Sequence, residues 1–151
     1  MIRAGVRGAL GLALALGLPL VAMAAGTTAV VYRDPSCGCC HAWISYLRDH
    51  GFDVSVHENE PMSAVKARLG VPVQLASCHT ARIGRYVIEG HVPVEDIQRL
   101  LAERPDAWGL AAPGMPMGSP GMEMGPAQSY DVRLVDGDGS SRVFAHHGSP
   151  G

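Results

Sequence analysis

The chain has 151 residues, 47% of them apolar, and a formal net charge of −2. That size and balance suit one domain able to bury its own core. A slight acidic surplus offers no basic field to nucleic acid, which excludes that class of partner.

The first 24 residues carry Arg3 and Arg7 ahead of an uncharged apolar run that is interrupted by Pro19 and closes on Ala22-Met23-Ala24. This is the pattern of a secretory signal peptide over residues 1–24. The run is shorter and more broken than the ~20 apolar residues of a membrane span, so no span is expected once the signal is cleaved. Cleavage removes both arginines and takes the net charge from −2 to −4. The expected location is the periplasm.

The mature domain is expected over residues 25–145. Thr27 to Arg33 is β-branched and apolar and predicts a buried strand. Asp34-Pro35-Ser36 predicts a turn with Ser36 as helix N-cap. A helix follows, with Cys40, Ile44 and Leu47 on one face, Trp43 beside them and Gly51 at its end. Phe52 to Glu58 alternates as a second strand, Pro61 opens a short helix closed by Gly70, and Ala81 to Gly90 predicts a hairpin turning near Gly84. Pro93 opens a third helix that ends near Pro105. The order βαβαββα is that of a thioredoxin-like α/β core. Gly109 to Pro126, rich in Gly, Pro and Met, predicts a wrapping loop. A C-terminal hairpin of YDVRLV and SRVFA turns at Asp136-Gly137-Asp138-Gly139, and residues 146–151 are expected to fray.

Three of the four cysteines, Cys37, Cys39 and Cys40, fall in PSCGCCH at the predicted junction of strand and helix. A helix N-terminus favours thiolates there. An exported protein would ordinarily pair its cysteines. However, neighbouring Cys39 and Cys40 make a strained bridge, and only Cys37 with Cys40 is an easy local pair. Cys37 and Cys40 alone would form a redox motif, with Cys37 the nucleophile and Cys40 the resolver. Cys39 competes with that pair, and Cys78 is expected to close over it from the loop before the hairpin. Four converging thiolates select soft ions, and crowding three of them into one turn suits bridged Cu(I) better than a single tetrahedral zinc.

Met115, Met117, Met122 and Met124 lie in the irregular segment rather than on a helical stripe, which favours a metal-facing use over core packing. Of the seven histidines, His79 directly follows Cys78 and is the candidate ligand. His41 and His91 rank below it, His50 and His57 lie on ordinary elements, and His146 and His147 belong to the expected tail. Motifs for phosphate loops, serine nucleophile elbows and zinc-protease helices are absent from the sequence.

The segments VYRDPSCGCCHAW, KARLGVP, SCHTA, YVIEGHVP, DIQRLLAERPD and PGMPMGSPGME, in this order, resemble the CopG-type family of periplasmic copper-resistance proteins, described as thioredoxin-like. The resemblance covers about Thr27 to Glu123. It implies copper as the bound metal, Cys37, Cys39, Cys40 and Cys78 as ligands with the Met115 and Met122 segment nearby, and a redox role between Cu(I) and Cu(II). The partners implied are copper ions and other periplasmic copper-handling proteins. Two other readings stay open: a thiol–disulfide oxidoreductase using Cys37 and Cys40, and a disulfide-stapled binding module.

Overall fold

A computed structural model describes residues 26–148. The expected signal peptide lies outside the described residues. Among those residues, no helix is long and apolar enough to cross a membrane.

The elements run β1 (Thr28–Tyr32), α1 (Gly38–Asp49), β2 (Asp53–His57), α2 (Met62–Leu69), β3 (Thr80–Ile83), β4 (Tyr86–Glu89), α3 (Val94–Glu103), β5 (Gly109–Ala111), β6 (Tyr130–Val135) and β7 (Ser141–His147), with a 3-10 turn at Val73–Leu75. They build one mixed sheet of order β2-β1-β3-β4-β5-β6-β7. β1 pairs in parallel with β2 and antiparallel with β3, and the β3–β4 hairpin turns at Gly84 as its sequence predicts.

Helix α1 is amphipathic. Cys40, Trp43, Ile44 and Leu47 repeat at helical spacing and are buried. Trp43, Ile44 and Leu47 share one core with Ile97 and Leu100 of α3 and with Val31, Ile83, Ile88 and Leu110 of the sheet. Because side chains alternate along a strand, Glu89 points away from the face that receives Ile88. There it meets Lys66 of α2, so α2 covers the side opposite α1 and α3.

Three expectations change. The N-cap of α1 is Cys37, whose Sγ accepts a hydrogen bond from the Cys40 amide at 3.3 Å, while Ser36 is drawn back onto Asp34 Oδ1 by its own amide and hydroxyl. The segment read as loop from Gly109 opens with β5, which pairs in parallel with β4 and antiparallel with β6. Its central part also packs: Met122 and Ser119 are buried, and the Gly118 amide donates to the Met122 carbonyl at 2.9 Å. Finally, β7 runs on to His147. The His147 ring stacks on Tyr130 and bonds Asp96 Oδ2 at 2.6 Å, so the first two residues of the expected tail are paired.

Candidate metal centre

The strand-to-helix junction delivers the first three thiols. Arg33, at the end of β1, donates from Nη1 to the Cys37 carbonyl at 3.0 Å and pairs with Glu58, fixing the turn that enters α1. Within it Cys37 and Cys40 are joined in a disulfide, while Cys39 and Cys78 are free thiols. Cys39 Sγ lies 3.5 Å from Cys37 Sγ and 3.9 Å from Cys78 Sγ. The four sulfurs all fall within 4.8 Å of one another.

Cys78 reaches this cluster because its loop is held from below. The Glu89 carboxylate accepts from the Ser77 amide at 2.7 Å, from the Thr80 hydroxyl at 2.6 Å and from Lys66 Nζ. Residues on both sides of Cys78-His79 are thus tied to one fully buried acid. Burial pushes the Glu89 pKa up and the Lys66 ammonium opposes that rise. From the other side, the Gly90 turn presses on Ser77. A Cβ at Gly90 would lie 2.6 Å from the Ser77 Cβ, and its φ of +77° suits glycine.

Two imidazoles complete the surroundings. His79 Nδ1 is 3.3 Å from Cys78 Sγ, and His91 Nε2 is 3.1 Å from the same sulfur. His91 Nδ1 faces the Pro120 carbonyl at 2.8 Å. A carbonyl only accepts, so Nδ1 carries the proton and the neutral ring turns its Nε2 lone pair toward Cys78. His79 is fully buried beneath the Trp43 ring, 4.4 Å between centroids, and among the described residues its Nε2 has no hydrogen-bond partner. Burial drives the pKa of both histidines down, for His79 reinforced by His91 and Lys66. The Cys78 thiol is pushed up to about 11, first by burial and then by Cys39.

The methionine segment is placed by Gly121, whose φ is +86°. A Cβ there would lie 2.9 Å from both the Cys39 carbonyl and the Trp43 amide, so only glycine lets this loop lie against the first turn of α1. Of the methionines expected to face metal, Met122 is buried beside that contact, whereas Met115 and Met124 are half or more exposed. The second histidine of the centre, His91, ranked behind His79 in the sequence. Its signal was the turn in EGHVP, which Trp43 anchors by donating from Nε1 to the Val92 carbonyl at 2.9 Å.

Fold and site define a mixed α/β protein with a cysteine-rich potential metal centre at a strand-to-helix junction, closed by a distant cysteine and two histidines. Two solved structures, titled "Copper resistance protein copG- Form 1" and "Copper resistance protein copG- Form 2", are each 47% identical to this chain. Each covers 82% of this chain, is itself covered over 99% of its length, and superposes with a TM-score of 0.77. A family model described as "Protein of unknown function, DUF411" matches residues 75–122, the stretch from the Cys78 loop to Met122. No curated protein matches. The chain belongs to the CopG family of copper resistance proteins.

Proposed function

We propose that this chain is a periplasmic copper-binding protein that holds Cu(I), several ions at once, on the thiolates of Cys37, Cys39, Cys40 and Cys78, and so serves copper resistance. The observation that carries the reading is Cys78. It stands 39 positions from Cys39, yet its sulfur is 3.9 Å away. Sulfurs that close suit bridging between soft ions, and the donor set of four thiols with neutral imidazoles beside them matches copper better than a hard cation. The Met122 segment lies alongside, and His79 is a candidate nitrogen ligand. Export through the N-terminal segment would place the site in an oxidising compartment, in which the Cys37–Cys40 disulfide keeps two of the ligands closed. Adding two electrons and two protons to that bond would yield two thiols and open the four-sulfur site. Handling of Cu(I) and Cu(II) would then be coupled to thiol redox state. The sheet order β2-β1-β3-β4, with only β1 and β2 parallel, supports a thioredoxin-like reading of the core.

The disulfide also favours a second reading, a thiol–disulfide oxidoreductase in which Cys37 attacks and Cys40 resolves. Against it, Cys39 lies 3.5 Å from Cys37 and offers a competing thiol.

The test is competition on the fully reduced protein. Against a Cu(I) chelator, Cu(I) is expected to bind far more tightly than Zn(II) binds in a parallel zinc competition. Equal affinities for the two ions would contradict a copper site.

A further inference from the structure

Away from the cysteines, at the turn end of the β3–β4 hairpin, a cavity of about 260 Å³ is lined by Gly84, Arg85, Tyr86, Leu101 and Arg104. Two of these residues carry guanidinium groups, and Leu101 supplies an apolar wall. We propose that this cavity binds a small organic carboxylate, whose charge meets Arg104 and Arg85 and whose apolar body lies on Leu101.

Arg104 carries the argument furthest. It caps the end of α3 at φ 51° and ψ 47°, and among the described residues no other non-glycine residue has a positive φ. Glycine usually fills that position at a helix end, because a side chain there is strained. Strain that persists points to a use for the side chain. The fold itself makes no such use: the Arg104 amide donates to the Leu100 carbonyl at 2.9 Å, but among the described residues its guanidinium has no hydrogen bond and no ion pair. Arg85 is held in place beside it. Its Nη2 donates to the Tyr86 hydroxyl at 3.1 Å, to the Arg104 carbonyl at 3.3 Å and to the Pro105 carbonyl. The guanidinium also lies 4.9 Å from the centroid of the Tyr86 ring. Its Nε and Nη1 keep no partner among the described residues, so donors remain for a ligand on a side chain that has already lost its freedom. The same bonds cover carbonyls at the C-terminal end of α3, whose negative dipole would otherwise repel an anion. Of the neighbouring acids, Glu103 is turned to Arg99 at 3.4 Å, and Asp106 does not line the cavity. An inorganic anion would leave Leu101 unused. The volume falls below the ~300–1,000 Å³ of drug-sized sites, which keeps the occupant small.

Benzoate is the probe, titrated into the full chain at low salt and followed by amide chemical shifts. Saturable shifts centred on Gly84, Arg85 and Arg104 are expected. Benzyl alcohol, which has the ring without the charge, should bind at least roughly tenfold more weakly. Arg104→Gln should weaken benzoate by a similar factor. Arg82→Gln removes an exposed arginine from the other face of the sheet and should leave binding unchanged. Arg104→Gly separates a ligand role from a structural one. Glycine relieves the positive φ, so the melting temperature should stay at or above that of the native chain while benzoate binding is lost. No saturable shift, equal binding of benzyl alcohol, undiminished benzoate binding in folded Arg104→Gln, equal loss in Arg82→Gln or a destabilised Arg104→Gly would overturn the site. Inorganic phosphate binding as tightly as benzoate would overturn it as well, since the apolar wall would then contribute nothing.

Discussion

At 3.9 Å from Cys39 Sγ and 3.1 Å from His91 Nε2, the Cys78 sulfur joins the helix-borne thiols to the imidazoles. Removing it should open the proposed copper site as effectively as removing a cysteine of the contiguous cluster. Cys78→Ser is therefore expected to weaken Cu(I) about as much as Cys40→Ser in chelator competition on reduced protein, and normal Cu(I) binding by Cys78→Ser would contradict its placement. The same residue sets a pH dependence. Burial and Cys39 hold Cys78 as a thiol up to about 11, so a metal must displace its proton, and affinity rises as pH rises. Each displaced proton contributes roughly tenfold per pH unit. Between about pH 6 and about pH 9, the logarithm of Cu(I) affinity should climb more steeply in the native protein than in Cys78→Ser, by roughly one per unit for the missing proton. Identical slopes would mean that Cys78 is not a ligand.

The β3–β4 hairpin and its flanking turns act as the bracket that holds Cys78. Glu89 on β4 binds both sides of the Cys78 loop and meets Lys66 of α2. Removing one partner of a buried pair costs about 3–5 kcal/mol. The Lys66 side chain keeps 18% exposure and can escape toward water, so Glu89→Ala should fall at the lower end of that range in chemical denaturation. It should also weaken Cu(I) binding, through the loosened loop. Full stability and full Cu(I) affinity in this variant would refute the bracket. Elements with strong local signals were legible in the sequence: the β-branched run of β1, the 3.6-residue spacing of α1, and the alternation and turns of both hairpins. β5 was not, because Gly109–Ala111 is three residues long and becomes a strand only through β4 and β6. The cap of α1 was misplaced because a disulfide sulfur, that of Cys37, did the work that a hydroxyl usually does.

Across the whole molecule, the site exists where four segments distant in sequence meet: the first turn of α1, the Cys78 loop, the His91 turn and the loop at Gly121. The sequence marked the first two by their cysteines. It left His91 in the background because the lone-pair direction of its ring depends on the Pro120 carbonyl, which the fold brings from 29 residues away. The disulfide between Cys37 and Cys40 was legible as the only easy local pair, and its presence keeps the metal and redox readings in direct competition. Cys39 separates them, since a copper cluster uses it as a ligand while an oxidoreductase is hindered by it. The deciding measurement is Cys39→Ala, assayed for Cu(I) stoichiometry and affinity after full reduction and for insulin disulfide reduction on the same preparation. Lowered copper stoichiometry or affinity, with no efficient reductase, is the expected result. Undiminished copper binding together with enhanced disulfide reduction would contradict it.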